Sequence, residues 1–389
     1  MLTIFVTVGQ VFAQSNILDS IPHQSYQRKF MVHFPPNFST ATERPLVINL
    51  HGGSGNMLSA QGFSQLNPVS DQNDFIVAWP QGIGQAQSGG FTWADGRNTS
   101  ADQAGIDDIG FIDKLVDTLT IRYNVDTNKI YICGFSNGGF MVQRLACQLP
   151  NRFAAMASLG SSMDTELYKT CSPSHPIPMA FFNGTADPAM PYGGGAMQNP
   201  LVTPVVPVDT TVQYWVDNNN CTNANPVFNF PNTFSTDNST AELYRYTDCD
   251  CNADVYFYKL INGGHTWPGV YIASQASVLG NTNRDIHASE ELWDFFDNYS
   301  LCQNIVGLNE NRIELDLKVY PNPANSVVQI DFGNYQSNFT VFLYTQLGKL
   351  ISRNENERII NLRHLSNGIY FLTVKTKNGN TSRKLIIEK

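Results

Sequence analysis

A serine hydroxyl attacks a carbonyl only when a base takes its proton and a carboxylate holds that base in the right tautomer. This chain offers a serine in the setting such chemistry needs, Gly134-Phe135-Ser136-Asn137-Gly138-Gly139, a G-x-S-x-G pattern with a further glycine behind it. The apolar, β-branched run Lys129-Ile130-Tyr131-Ile132-Cys133 before it predicts a buried strand, and Phe140-Met141-Val142-Gln143-Arg144-Leu145-Ala146 after it predicts a helix. Strand, glycine-flanked serine and helix together predict a nucleophile elbow, with the Ser136 hydroxyl lifted to the sheet edge and a helix N-terminus behind it to favour developing negative charge. The bland alternative is a glycine-rich turn with Ser136 as a helix N-cap.

The partners are sought further along the chain, acid first and histidine second. Asn183-Gly184-Thr185-Ala186-Asp187-Pro188 ends a predicted strand at 178–183, which makes Asp187 the candidate acid; Asp164, Asp209 and Asp217 follow no strand directly. His265 sits in Gly263-Gly264-His265-Thr266-Trp267-Pro268-Gly269, immediately after a predicted strand at 255–261. His175 precedes the acid, His287 lies on an amphipathic helix and His364 lies in the tail, so His265 is the candidate base. A tetrahedral oxyanion needs preorganised N–H donors: one from Asn137, the other from the His51-Gly52-Gly53-Ser54 turn, with Gly53 the candidate. Trp93 and Trp267 are candidate walls of an aromatic or acyl pocket, with a purely structural role the alternative for each. Asp107 and Asp108 read as a helix cap rather than a metal pair, and nothing calls for a metal or cofactor.

The elements that must position these residues alternate. Strands are predicted at 26–34, 45–50, 74–79, 129–133, 178–183 and 255–261, and helices from 108, after the elbow, at 210–219 and at 286–299. Apolar strands alternating with helices mean an α/β fold whose mostly parallel sheet is covered on both faces. Beyond 315, short runs at 327–331, 339–343, 369–374 and 384–387 are separated by Asn, Gly and Pro turns, which predicts a small antiparallel β-sandwich without chemistry of its own.

Composition divides the chain at the same place. The net charge is −9, which argues against nucleic acid and anionic membrane as partners. Residues 312–389 hold 11 Lys/Arg and 6 Asp/Glu, leaving 13 basic and 27 acidic residues in the remainder, and all seven cysteines lie at or before Cys302. Charged residues are only 15%, a surface chemistry suited to export. Cys133 falls in the elbow strand and reads as a buried free thiol, and Cys147 with Cys171 reads as a pair. The connectivity of Cys221, Cys249, Cys251 and Cys302 is left open. Cys249-x-Cys251 lacks the neighbouring ligands a zinc site needs. The apolar stretch from Leu2 to Ala13 reads as a truncated signal peptide without its basic start, cleaved after Ala13 or Gln14, with a buried first strand the alternative, and no other stretch approaches a membrane span. The expected organisation is a signal peptide at 1–14, a catalytic domain at 15–303, a linker at 304–314 and a sorting domain at 315–389.

The motifs LHGGSGN, DDIGFI, GFSNGG, NGTADPAMPY and GGHTWPG, in this order over about residues 25–300, resemble the polyhydroxybutyrate depolymerase and feruloyl esterase-like family within carbohydrate esterase family 1. The resemblance implies an α/β-hydrolase fold, a catalytic triad on Ser136, Asp187 and His265, and an oxyanion-loop residue at Gly53 or Ser54. Members often carry a Cys-bearing Trp motif before DDIGF; FTWADGR keeps Trp93 without the cysteine, so that disulfide is absent and the resemblance does not fix the pocket contour. In the tail, VYPNPANSVVQI, LSNGIYFLTV and a basic final strand resemble type A C-terminal sorting domains of the type IX secretion system. They imply recognition by that machinery and export across the outer membrane of a Bacteroidota-type bacterium, usually with removal of the tail. The expectation is a secreted serine ester hydrolase acting on feruloyl or acetyl esters of plant polysaccharide or on short-chain polyhydroxyalkanoate. A non-catalytic polysaccharide- or surface-binding protein and a serine peptidase are the alternatives.

Overall fold

The computed structural model describes residues 15–85, 89–197, 201–301, 317–331, 339–345, 350–376 and 379–389, so the signal-peptide and linker expectations lie outside the described residues. The chain divides into two compact units, Met1–Cys302 and Gln303–Lys389.

The first unit is built on an 11-stranded sheet. Its main strands are β1 (Ser15–His23), β2 (Tyr26–Phe34), β3 (Arg44–Leu50), β4 (Ile76–Pro80), β5 (Val125–Phe135), β6 (Ala155–Leu159), β7 (Met179–Gly184), β8 (Thr240–Thr247) and β9 (Val255–Ile261). They lie in the order β1-β2-β4-β3-β5-β6-β7-β9-β8, with the two-residue segments Asn223–Ala224 and Phe228–Asn229 pairing with β8. From β4 to β9 every pairing is parallel, while β1, β2 and β8 pair antiparallel at the two sides. The reversal of strand order around β3 and β5 puts the C-terminal ends of both beside one crevice, where open parallel sheets place their sites.

Helices cover both faces. The helices α1 (Met57–Ser64), α2 (Asp108–Tyr123), α3 (Asn137–Gln148), α4 (Val208–Asn218) and α5 (Ala288–Phe296) carry their apolar stripes into one or other of two cores. On one face Phe111, Leu115, Met141, Leu145 and Trp215 pack against Ile48, Ile132 and Phe181; on the other, Leu292, Trp293 and Phe296 pack against Val77, Tyr131 and Ala157. β5 feeds both cores because alternate side chains point to opposite faces. Three strands go beyond the expectation: β1, β6 and β8. Ala155-Met-Ala-Ser-Leu159 holds no β-branched residue and reads locally as helix. Full burial between β5 and β7 makes it a strand, because tertiary packing outweighs intrinsic propensity.

The second unit pairs two antiparallel sheets over one core of Val328, Ile330, Val341, Leu343, Leu372, Val374 and Leu385. One sheet joins Lys318–Tyr320, Val327–Asp331 and Ile359–Asn361; the other joins Leu350–Glu355, Phe339–Thr345, Gly368–Thr376 and Gly379–Ile387. Its core lies on alternate positions of each strand, as a two-layer β domain requires.

Among the cysteines, Cys147 bonds to Cys171 and Cys221 to Cys249; Cys251 is also disulfide-bonded. Cys133 is a buried free thiol whose pKa burial pushes up to about 12, and the Asn49 amide donates to its sulfur at 3.1 Å. Among the described residues no helix is long and apolar enough to cross a membrane.

Candidate active site

The elbow forms where β5 meets α3. Ser136 has φ 53° and ψ −119°, a conformation costly for a side-chain-bearing residue and maintained only where its surroundings enforce it. Its N–H donates to the Leu159 carbonyl at 2.8 Å, tying the turn to the end of β6. The flanking glycines are needed for close approach. A Cβ on Gly134 would fall 2.3 Å from the Gly138 carbonyl oxygen, and one on Gly138 2.4 Å from that of Leu50. No larger residue lets the strand, the turn and the helix start pack this tightly.

Asp187 and His265 arrive on the loops after β7 and β9, which are neighbours in the sheet although 78 residues separate the two side chains. His265 Nδ1 donates to Asp187 Oδ2 at 2.6 Å, which fixes the tautomer that leaves Nε2 as a base. The other oxygen, Asp187 Oδ1, accepts from the N–H groups of Ala189 at 2.8 Å and Met190 at 2.7 Å, so the carboxylate is held at both ends. The imidazole lies beside Phe135, with ring centroids 4.7 Å apart, and a Cβ on Gly160 would meet its Nδ1 at 3.3 Å.

Ser136 and His265 line one cleft of about 390 Å³. His51, Gly52, Gly53 and Ser54 form one rim, Phe63, Phe135 and Trp267 an aromatic wall, and Gln275 and Leu279 the far side. No residue lining it other than His51 and His265 has an acidic or basic side chain. His51 is neutral: burial lowers its pKa to about 4, Nδ1 donates to the Gly52 carbonyl and Nε2 accepts from Gly82 N–H. Gly53 stands beside the start of α3, a Cβ there lying 3.6 Å from that of Asn137. The arrangement brings a hydroxyl, an imidazole–carboxylate pair and two loops bearing N–H groups to one place, the components of acyl transfer.

Trp267 lies on the cleft wall, its indole N–H donating to the Ser289 hydroxyl at 3.1 Å. Trp93 is placed differently from its expected role as a wall. It is fully buried behind the cleft because its indole N–H finds its acceptor inward, on the His51 carbonyl at 2.9 Å. Asp107 caps α2 by accepting from Gly110 N–H, but Asp108 does not join it; it pairs with Arg28 at 2.5 Å, both side chains fully buried. Burial raises the Asp108 pKa, and the Arg28 charge and the Ala94 N–H work against that rise. Sequence reading also missed Asp95, which accepts from Arg97 at 2.6 Å and from the Asn137 amide at 2.6 Å. Its one signal is the density of charge in the short run Asp95-Gly96-Arg97 beside Trp93. Among the described residues no cluster suited to a metal ion occurs.

Sheet order, elbow and loop placement define the first unit as an α/β-hydrolase, and residues 61–187 match the prolyl oligopeptidase family. Residues 318–388 match the secretion system C-terminal sorting domain family. The chain is 28% identical over 282 residues to the proposed esterase NocK of Nocardia uniformis, covering 69% of this chain and 78% of that one. It is 29% identical to feruloyl esterase B of Piromyces equi and 24% identical to the bifunctional acetylxylan esterase/xylanase XynS20E of Neocallimastix patriciarum. Those two alignments cover 61% and 72% of this chain but only 42% and 34% of the relatives. Among solved structures, an acetyl xylan esterase from Aspergillus awamori aligns over 68% of this chain and 97% of its own at 16% identity, with a TM-score of 0.46. The chain thus carries an α/β-hydrolase fold similar in sequence to feruloyl and acetylxylan esterases together with a secretion sorting segment, and it is secreted or displayed at the cell surface.

Proposed function

We propose that this chain is a serine esterase that cleaves feruloyl or acetyl esters of plant polysaccharide, with short-chain polyhydroxyalkanoate the second substrate class. The observation that carries the reading is the carboxylate-free cleft, with one aromatic wall, that Ser136 and His265 both line, with Asp187 hydrogen-bonded behind the imidazole. A neutral cleft suits an uncharged ester, and its aromatic wall suits a planar acyl group. Ser136 Oγ attacks the ester carbonyl while His265 Nε2 takes its proton. The N–H groups of Gly53 and Asn137 hold the oxyanion. Collapse expels the alcohol, which receives the proton from His265. Water, deprotonated by His265, then attacks the acyl-Ser136 ester and releases the acid. Asp187 keeps its negative charge throughout and steadies the imidazolium.

The match to the prolyl oligopeptidase family gives the peptidase reading a specific support. A peptidase that binds a free amino terminus needs a carboxylate near the serine, whereas no Asp or Glu lines the cleft. The test is a panel on the full chain: methyl ferulate, acetylated xylan, polyhydroxybutyrate film and an aminoacyl p-nitroanilide, each with Ser136→Ala as control. Ser136-dependent release of ferulate or acetate is expected. Turnover of the anilide in preference to the esters moves the assignment to a peptidase. No turnover of any substrate leaves a binding protein on a hydrolase scaffold.

A further inference from the structure

We infer that Trp93 is a positioning residue for the oxyanion site, tying the Gly53 turn to the start of α3 through two separate hydrogen-bonded contacts. The inference rests on the esterase reading above and specifies what sets its geometry. The two N–H donors come from different loops, one after β3 and one after β5, and a donor displaced by a fraction of an ångström stabilises the oxyanion poorly. Something must therefore fix one loop against the other.

Trp93 touches both. Its backbone N–H donates to Asn137 Oδ1 at 2.7 Å, and Asn137 Nδ2 donates back to the Trp93 carbonyl at 3.3 Å, so the amide side chain and the Trp93 main chain clasp each other. Its indole N–H donates to the His51 carbonyl at 2.9 Å, two residues before Gly53, and its ring lies against the His51 imidazole with centroids 4.8 Å apart. Asn137 thus has two tasks: its main chain offers a donor to the oxyanion, and its side chain anchors that main chain to Trp93.

Trp93 is itself held. The Thr99 hydroxyl donates to its carbonyl at 2.9 Å, and the next residue, Ala94, donates its N–H to the buried Asp108 at 2.7 Å. The side chain is fully buried and absent from the cleft lining, so it makes no contact with substrate. Any effect it has on turnover passes through the frame. The indole is needed rather than a plain aromatic ring because its one donor reaches the His51 carbonyl.

The test installs 3-benzothienylalanine at position 93 of the full chain, replacing the indole N–H by sulfur while keeping the ring shape, with Trp93→Phe beside it. On methyl ferulate, kcat is expected to fall about 10- to 100-fold while KM stays within about twofold, since the interaction lost is made in the transition state. A boronic acid that forms a tetrahedral adduct with Ser136 should lose affinity by the same factor, and ferulate as a product inhibitor should not. The pH dependence of kcat/KM should keep its acid limb, because His265 and Asp187 are untouched. A benzothienylalanine protein with kcat within about twofold of the parent overturns the proposal, as does an equal loss of boronate and ferulate affinity. If the parent itself shows no Ser136-dependent ester hydrolysis, the esterase reading falls and takes this one with it. An active parent beside an unaffected variant removes the Trp93 role alone.

Discussion

His265 and Asp187 are held by main-chain hydrogen bonds, whereas the Gly53–Asn137 side rests on a block of buried charge. On the first side, His265 N–H donates to the Leu279 carbonyl at 2.6 Å and Gly264 N–H to that of Asn281 at 2.8 Å. The intervening loop leaves Tyr271 53% and Val278 70% exposed. On the second side, Arg28 pairs with Asp108 and stacks over Phe111 at 3.8 Å, while Arg97 pairs with Asp95 and lies 3.4 Å over Phe140. Arg144 adds a hydrogen bond to the Ala94 carbonyl. A buried pair gives little net stability, but losing one member strands a charge, so each member of such a block depends on its partner staying in place. Asn137, the residue after the strained Ser136, is tied to this block through the hydrogen bond from its side-chain amide to Asp95 at 2.6 Å. The acid–base side is framed instead by main-chain bonds, and the loop that supplies two of them has exposed side chains.

Perturbing the chemistry itself should give the largest effects. Ser136→Ala is expected to lower ester hydrolysis by at least about 10⁴-fold, and Asp187→Asn by about 10⁴-fold, with unfolding curves close to the parent's. A Ser136→Ala protein that keeps its rate would break the proposed mechanism. Next come the charged supports. Arg28→Met should destabilise the protein by about 3–5 kcal/mol in urea unfolding, and Arg28→Met with Asp108→Leu should recover much of that loss. A single variant as stable as the parent would show that the two sides do not differ as argued.

The acid response should be smaller. His51 takes up its proton near pH 4 when folded against an ordinary value of 6.5, so between those values the unfolded chain holds a proton that the folded protein refuses. Stability should fall by about 3 kcal/mol as pH drops through this window and level off below it. Urea midpoints measured across the window should flatten in His51→Asn. The smallest effect is expected on the looser side. Val278→Ser should change stability by less than about 0.5 kcal/mol, and a larger change would show that loop to be as firmly held as the charged one.

Much of this was written locally. Gly134-Phe135-Ser136-Asn137-Gly138 announces its strand–turn–helix setting within a dozen residues, and Asp187 and His265 each follow an apolar run long enough to read as a strand. Lengthwise order was enough to nominate all three, since a parallel sheet puts strand ends on one side. The charge break and the absence of cysteine after Cys302 marked the second unit in the same way. Asp108 reads as a cap because it stands at a helix start; its partner Arg28 is 80 residues earlier on another element, and no local pattern joins them. Trp93 reads equally as a cleft wall or as a structural residue, and only its buried surroundings turn its indole toward His51.

Short stretches of chain suffice to nominate the reacting side chains and the strands that carry them, because backbone propensity and hydrophobic period act over a few residues. Tertiary structure decided which polar groups would be sealed beneath the cleft and which would face it. A buried donor or charge must find its partner wherever the fold brings one, and that choice depends on distances between segments far apart along the chain.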